Sequence, residues 1–172
     1  MNEREKLIEI LVNRNKKRYD ELSRISHIYL DEVKKCIDSK AYLSGCIMLG
    51  AALETRLLLE AYLRSDEIKP LLKTKSGKSK PITKLVLSEL LCIAKTKGWL
   101  PNANLYLPEG FDPDKAKIGD YAEIIHALRN LVHPTRYISD FYGRIIEEKD
   151  FKVSLDILDE VYNILNTNLL SK

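Results

Sequence analysis

With 172 residues the chain is long enough to bury a core and short enough to be read as one domain. Hydrophobic residues at 45% and charged residues at 31% exclude general disorder, and a net charge of +3 is too weak to demand a nucleic-acid partner. Cys36, Cys46 and Cys92 are odd in number and widely spaced, which excludes a disulfide framework or a zinc motif and points to a reducing compartment.

The N-terminus, Met1 to Lys6, lacks the apolar core of a signal peptide, and no uninterrupted apolar run reaches the roughly 18 residues of a membrane span. A cytoplasmic location without a membrane partner is therefore expected. Asn2 and Glu5 have the spacing of a capping box. Ile8, Leu11, Tyr19, Leu22, Ile25, Tyr29, Val33 and Ile37 then predict an amphipathic helix to about Ile37, intact or broken. From Ala41 to Leu63 the pattern turns apolar around most of the circumference, as in a helix buried between neighbours. Glu54 and Arg56 are conspicuous inside it, because a charge in a buried helix is usually paired or sits at a site.

Lys69 to Lys80 reads as a loop with Pro70, Gly77 and five lysines. Pro81 suits a first helical position, and Ile82, Leu85, Val86, Leu90, Ile93 and Ala94 predict a third stripe that stops at Gly98. Trp99 to Asp112 is expected to be an ordered loop. Asp112-Pro113 predicts the start of a fourth helix, which runs to about His133 before Pro134. Its core stripe is Ile118, Tyr121, Ile125, Leu128 and Val132. A short helix is expected over Ser139 to Glu148, and a final one over Phe151, Leu155, Leu158, Val161, Tyr162, Leu165 and Leu169. The expected fold is an all-α, antiparallel four- to five-helix bundle. It is one helical domain over 1–172, with a long N-terminal helix over 1–38 and the remaining bundle over 39–172.

On a helical plot of the fourth helix, Arg129 lies at one edge of the core stripe and His133 follows one turn later, with His126 and Asn130 on the adjoining strip. A helix C-terminus favours the imidazolium at His133. A histidine that can change protonation state, beside a permanent cation, suits phosphodiester chemistry: Arg129 would neutralise charge on phosphate, His133 would move the proton, and Asn130 would orient either. The alternative reading is structural, with Arg129 paired to a carboxylate such as Glu54 and His133 capping free carbonyls.

The segment Ala127-Leu128-Arg129-Asn130-Leu131-Val132-His133-Pro134, followed by Tyr137, resembles the signature of HEPN-domain proteins, and Gly50-Ala51-Ala52-Leu53-Glu54 is similar to the acid-ending segment of that family's second helix. The resemblance spans roughly residues 20–170 and rests on few positions. It implies a HEPN-like bundle, commonly a homodimer whose two Arg/His motifs line a shared cleft. Many members are metal-independent RNA endonucleases of toxin–antitoxin, antiphage or RNA-processing systems. It implies RNA as substrate and an antitoxin or other protein as partner. Arg129, His133 and Asn130 would then be catalytic, with Glu54, His126 and Tyr137 in support. Active members place four to six residues between Arg and His, whereas this chain has three, a departure that leaves a non-catalytic dimerisation or partner-binding module as the alternative.

Other motifs fail. Gly77-Lys78-Ser79 lacks the first glycine of a phosphate loop, and Glu123-x-x-His126 has no second copy with which to hold a metal pair. No cofactor or metal is expected. Lys73, Lys75, Lys78 and Lys80 are the candidate contacts to a phosphate backbone.

Overall fold

The computed structural model describes residues 6, 9–10, 13, 15–73, 77–100, 118–140 and 145–169. Seven α-helices lie among them: α1 Lys16–Asp38, α2 Tyr42–Leu63, α3 Ser65–Ile68, α4 Leu87–Thr96, α5 Ile118–Arg129, α6 Pro134–Asp140 and α7 Glu148–Leu169. Short 3-10 turns cover Lys69–Leu72, Ile82–Lys84 and Asn130–Val132. The described residues contain no β-strand, only one isolated bridge between Lys73 and Ser79. The fold is an all-α bundle.

Residues 6, 9, 10 and 13 are helical, but Asn15 leaves helical geometry (φ −114°, ψ 17°) and α1 starts at Lys16. At the other end of α1 the chain reverses in three residues. Lys40 takes a left-handed conformation (φ 56°), Ala41 N–H donates to the Cys36 carbonyl at 2.8 Å, and Lys40 N–H to the Ile37 carbonyl at 3.0 Å. These paired bonds close the helix end, a job usually given to glycine. The hairpin makes α1 and α2 antiparallel, as the bond from Asn15 Nδ2 to the Tyr62 carbonyl (3.3 Å) confirms.

α2 is the hub. It packs against α1, α4, α5 and α7, and its apolar circumference follows from having neighbours on nearly every side. Over an 18-residue window its mean hydropathy of 1.3 would also allow a membrane span by length and composition, a helix missed by counting uninterrupted apolar residues. The contacts make it the core helix of this bundle. Phe151 lies against Gly45, Tyr162 reaches the Ala52 carbonyl and Asn166 reaches Arg56, so α7 runs parallel to α2. Gly45 and Gly50 permit the close approaches, since a Cβ would fall 2.5 Å from the Phe151 ring at Gly45 and 2.6 Å from the Arg129 side chain at Gly50.

Three expected boundaries move. The third stripe begins at Leu87, not Pro81: the Glu89 carboxylate accepts the Val86 N–H at 3.0 Å and fixes the helix start there, leaving Val86 exposed. The short helix near residue 140 is α6, which starts on Pro134, a residue that needs no N–H partner in a first turn. Ile37 is exposed at the end of α1 and does not join the core stripe. Trp99 and Leu100 are buried, while the rest of the expected loop and the Asp112-Pro113 start lie outside the described residues.

Candidate functional site

α5 ends at Arg129, earlier than the periodicity suggests. Proline disfavours helical geometry in the residue before it, and His133 accordingly extends (φ −88°, ψ 117°). Between them Asn130–Val132 tighten into a 3-10 turn, closed by the His133 N–H on the Asn130 carbonyl at 3.0 Å. A 3-10 turn advances about 120° per residue, so positions three apart eclipse. Leu131 therefore sits over Leu128 and is buried, while Val132, expected in the core, is 54% exposed. The same change removes the regular one-turn relation between Arg129 and His133. His133 is solvent-exposed, and no hydrogen bond joins it to Arg129 among the described residues.

Arg129 is fixed by its surroundings. Its aliphatic stem lies over Gly50, and its Nη1 donates to Glu54 Oε2 one turn further along α2. Both ends of this ion pair stay partly open, with 31% of the Arg129 side chain and 26% of Glu54 exposed. Glu54 thus stands where either reading of Arg129 requires it. Beside the pair runs a second chain of contacts. Lys95 Nζ meets Asp120 Oδ1 at 2.7 Å, Glu123 Oε2 meets His126 Nδ1 at 3.3 Å, and Asn130 Nδ2 meets His126 Nε2 at 3.1 Å. With Nδ1 carrying the proton toward Glu123, Nε2 is left to accept the Asn130 amide, and Asn130 Oδ1 is turned away from the ring. Glu123-x-x-His126 is thus a hydrogen-bonded pair. Among the described residues no three His, Cys, Asp or Glu side chains cluster as metal ligands.

Lys80 grips both oxygens of Glu89 at 2.6 Å, and this bond, with the Val86 N–H, holds the Glu89 carboxyl below the usual carboxylate range. Lys73 is exposed, Lys78 has a polar partner, and Lys75 lies outside the described residues, as does the Tyr137 side chain.

A second charged cluster is only half legible in sequence. Glu60 is fully buried and shared by Arg56, whose Nη1 donates to Oε2 at 3.0 Å, and by Arg64, whose Nε donates to Oε1. Arg56 lies over the Tyr162 ring and Arg64 over Trp99, with 5.8 Å and 5.5 Å to the ring centroids. The i, i+4, i+8 spacing of Arg56, Glu60 and Arg64 in an otherwise apolar helix is the signal that could have revealed it.

Against protein-family models, curated proteins and solved structures, the chain finds no match.

Proposed function

We propose that the chain is a HEPN-like protein with an RNA-directed role, acting as a metal-independent endoribonuclease through Arg129 and His133. The observation that carries this reading is the Arg129 side chain, held in place by Glu54 yet about a third exposed, four residues before the exposed His133. The reaction would be a transesterification. The ribose 2′-oxygen loses its proton and attacks the adjacent phosphorus, the 5′-oxygen leaves and takes up a proton, and a 2′,3′-cyclic phosphate results. His133 would handle a proton, Arg129 would offset charge building on the phosphate, and Asn130, oriented by His126, would support them. Val132 and Ile138, before and after His133 in the chain, are exposed apolar residues, which favours a second copy of the chain covering this end and completing a two-motif cleft. A cytoplasmic setting with an antitoxin-like protein partner fits such an enzyme.

The test is cleavage of single-stranded and structured RNA in chelator by wild type, Arg129→Ala and His133→Ala. A loss of about 100-fold or more in each variant is expected. Wild-type inactivity, or equal activity in all three, overturns the catalytic reading. The second reading, a non-catalytic dimerisation or partner-binding module, is favoured by the close packing of Arg129 on Gly50. Under it His133→Ala changes neither RNA cleavage nor binding, and Arg129→Ala acts on stability alone.

A further inference from the structure

About 200° around α2 from Glu54, on the side facing α1 and α7, lies a cavity of about 390 Å³. Its walls are mostly apolar, with Leu22, Leu30, Leu59 and Leu63 among them, and Arg56, His27 and Ser23 are polar residues that also line it. That size is within the range of small-molecule sites, which combine apolar walls with a few convergent polar groups.

Arg56 is 5% exposed, Nη1 is taken by Glu60 and Nη2 by Asn166 Oδ1 at 3.1 Å. Its Nε–H makes no hydrogen bond among the described residues, and the side chain lines the cavity. Of the other polar groups there, Ser26 Oγ pairs with Tyr162 Oη at 2.7 Å, Thr55 Oγ1 with the Ala51 carbonyl at 2.8 Å, and His27 Nδ1 with the Ser23 carbonyl at 2.7 Å. One carboxylate, Glu60, serves two guanidinium groups, so the cluster of Arg56, Glu60 and Arg64 carries one surplus positive charge. A single buried positive charge is best matched by a single negative one. The neutral carbonyl of Asn166, on an exposed residue, occupies the place at Nη2 that a carboxylate oxygen would take. Nε and this Nη2 together form the fork that binds a carboxylate with two hydrogen bonds.

We infer that this cavity is a binding site for a small organic monoanion, a carboxylate with an apolar body, its head on Arg56 and its body among the leucines. The site is separate from the Arg129 end of the molecule and does not depend on the RNA-directed reading.

The test is calorimetric titration of the full chain with octanoate, octanamide and inorganic phosphate, repeated on Asn166→Asp and Asn166→Ala. Asn166→Asp changes one exposed side chain isosterically and supplies an internal carboxylate to Arg56. The expected result is saturable octanoate binding, weaker by about tenfold or more for octanamide and for phosphate, since a hydrogen-bonded charge is worth that much. Asn166→Asp should weaken octanoate by a similar factor while Asn166→Ala retains it. No saturable binding to wild type, equal binding of octanamide or phosphate, or an unchanged affinity in Asn166→Asp each overturns the proposal.

Discussion

Two charge clusters hang on the same helix, and they differ in depth. Arg56, Glu60 and Arg64 are buried within the bundle, with Glu60 wholly out of solvent, whereas Glu54 and Arg129 pair at its edge with about a quarter to a third of each side chain open. The chemistry of the two is the same, a guanidinium on a carboxylate. In the buried cluster, removing one partner strands a charge in a low dielectric, so the contacts hold the fold together. At the edge water screens the pair, the energy at stake is small, and the guanidinium remains available to a visitor. Depth, more than residue type, decides which arginine is structural.

That contrast can be broken or sharpened by substitution. Glu60→Ala should cost the most, about 3–5 kcal/mol of unfolding free energy in urea titration, because it leaves two buried guanidinium groups facing each other. A loss under 1 kcal/mol would mean the cluster is wetter than its burial indicates. Gly50→Ala comes next: the new Cβ would lie 2.6–2.9 Å from Arg129 Cδ, Cβ and Cγ, so α5 must shift, at about 1–3 kcal/mol by the same titration. Arg129→Ala should cost about 1 kcal/mol, as a partly exposed pair does, and a loss matching Glu60→Ala would erase the distinction between the two clusters. His133→Ala, on an exposed residue, should stay within about 0.5 kcal/mol. Any effect it has on RNA is then chemical and not a consequence of unfolding.

The smallest effect concerns the thiols. Burial raises the Cys46 thiol to about 11 and raises Cys36 as well, while Cys92 is exposed. Alkylation at pH 8 should modify Cys92 first and reach Cys46 only after denaturation, because reaction needs an accessible thiolate. Rapid Cys46 labelling in the native protein would show that the α2–α7 contact opens readily.

Much of the helical layout was legible because period and burial coincide. The apolar run from Ala41 to Leu63 marks a buried helix by itself, and α2 occupies it almost to the residue. Phe151, Leu158, Val161 and Leu165 likewise bury as their spacing requires. The periodicity failed at Val132 and Val86, where capping and proline geometry change the rotation per residue or the start of the helix, and a plot at 100° per residue cannot register that. At the candidate site the sequence singled out Glu54 and Arg129, and packing brings them together. Glu60 and Arg64 passed unnoticed, since nothing local reports that both carry their charge into the core.

Local sequence marked the long helices and most of their apolar faces, because those depend on neighbours three and four residues away. Only the tertiary arrangement decided that α2 would be the hub, that its two charge clusters would lie at different depths, and that a cavity would remain beside Arg56. Each of those depends on how far one helix stands from another and on what fills the gap, and contacts between residues 75 or 110 positions apart leave no trace in spacing along the chain.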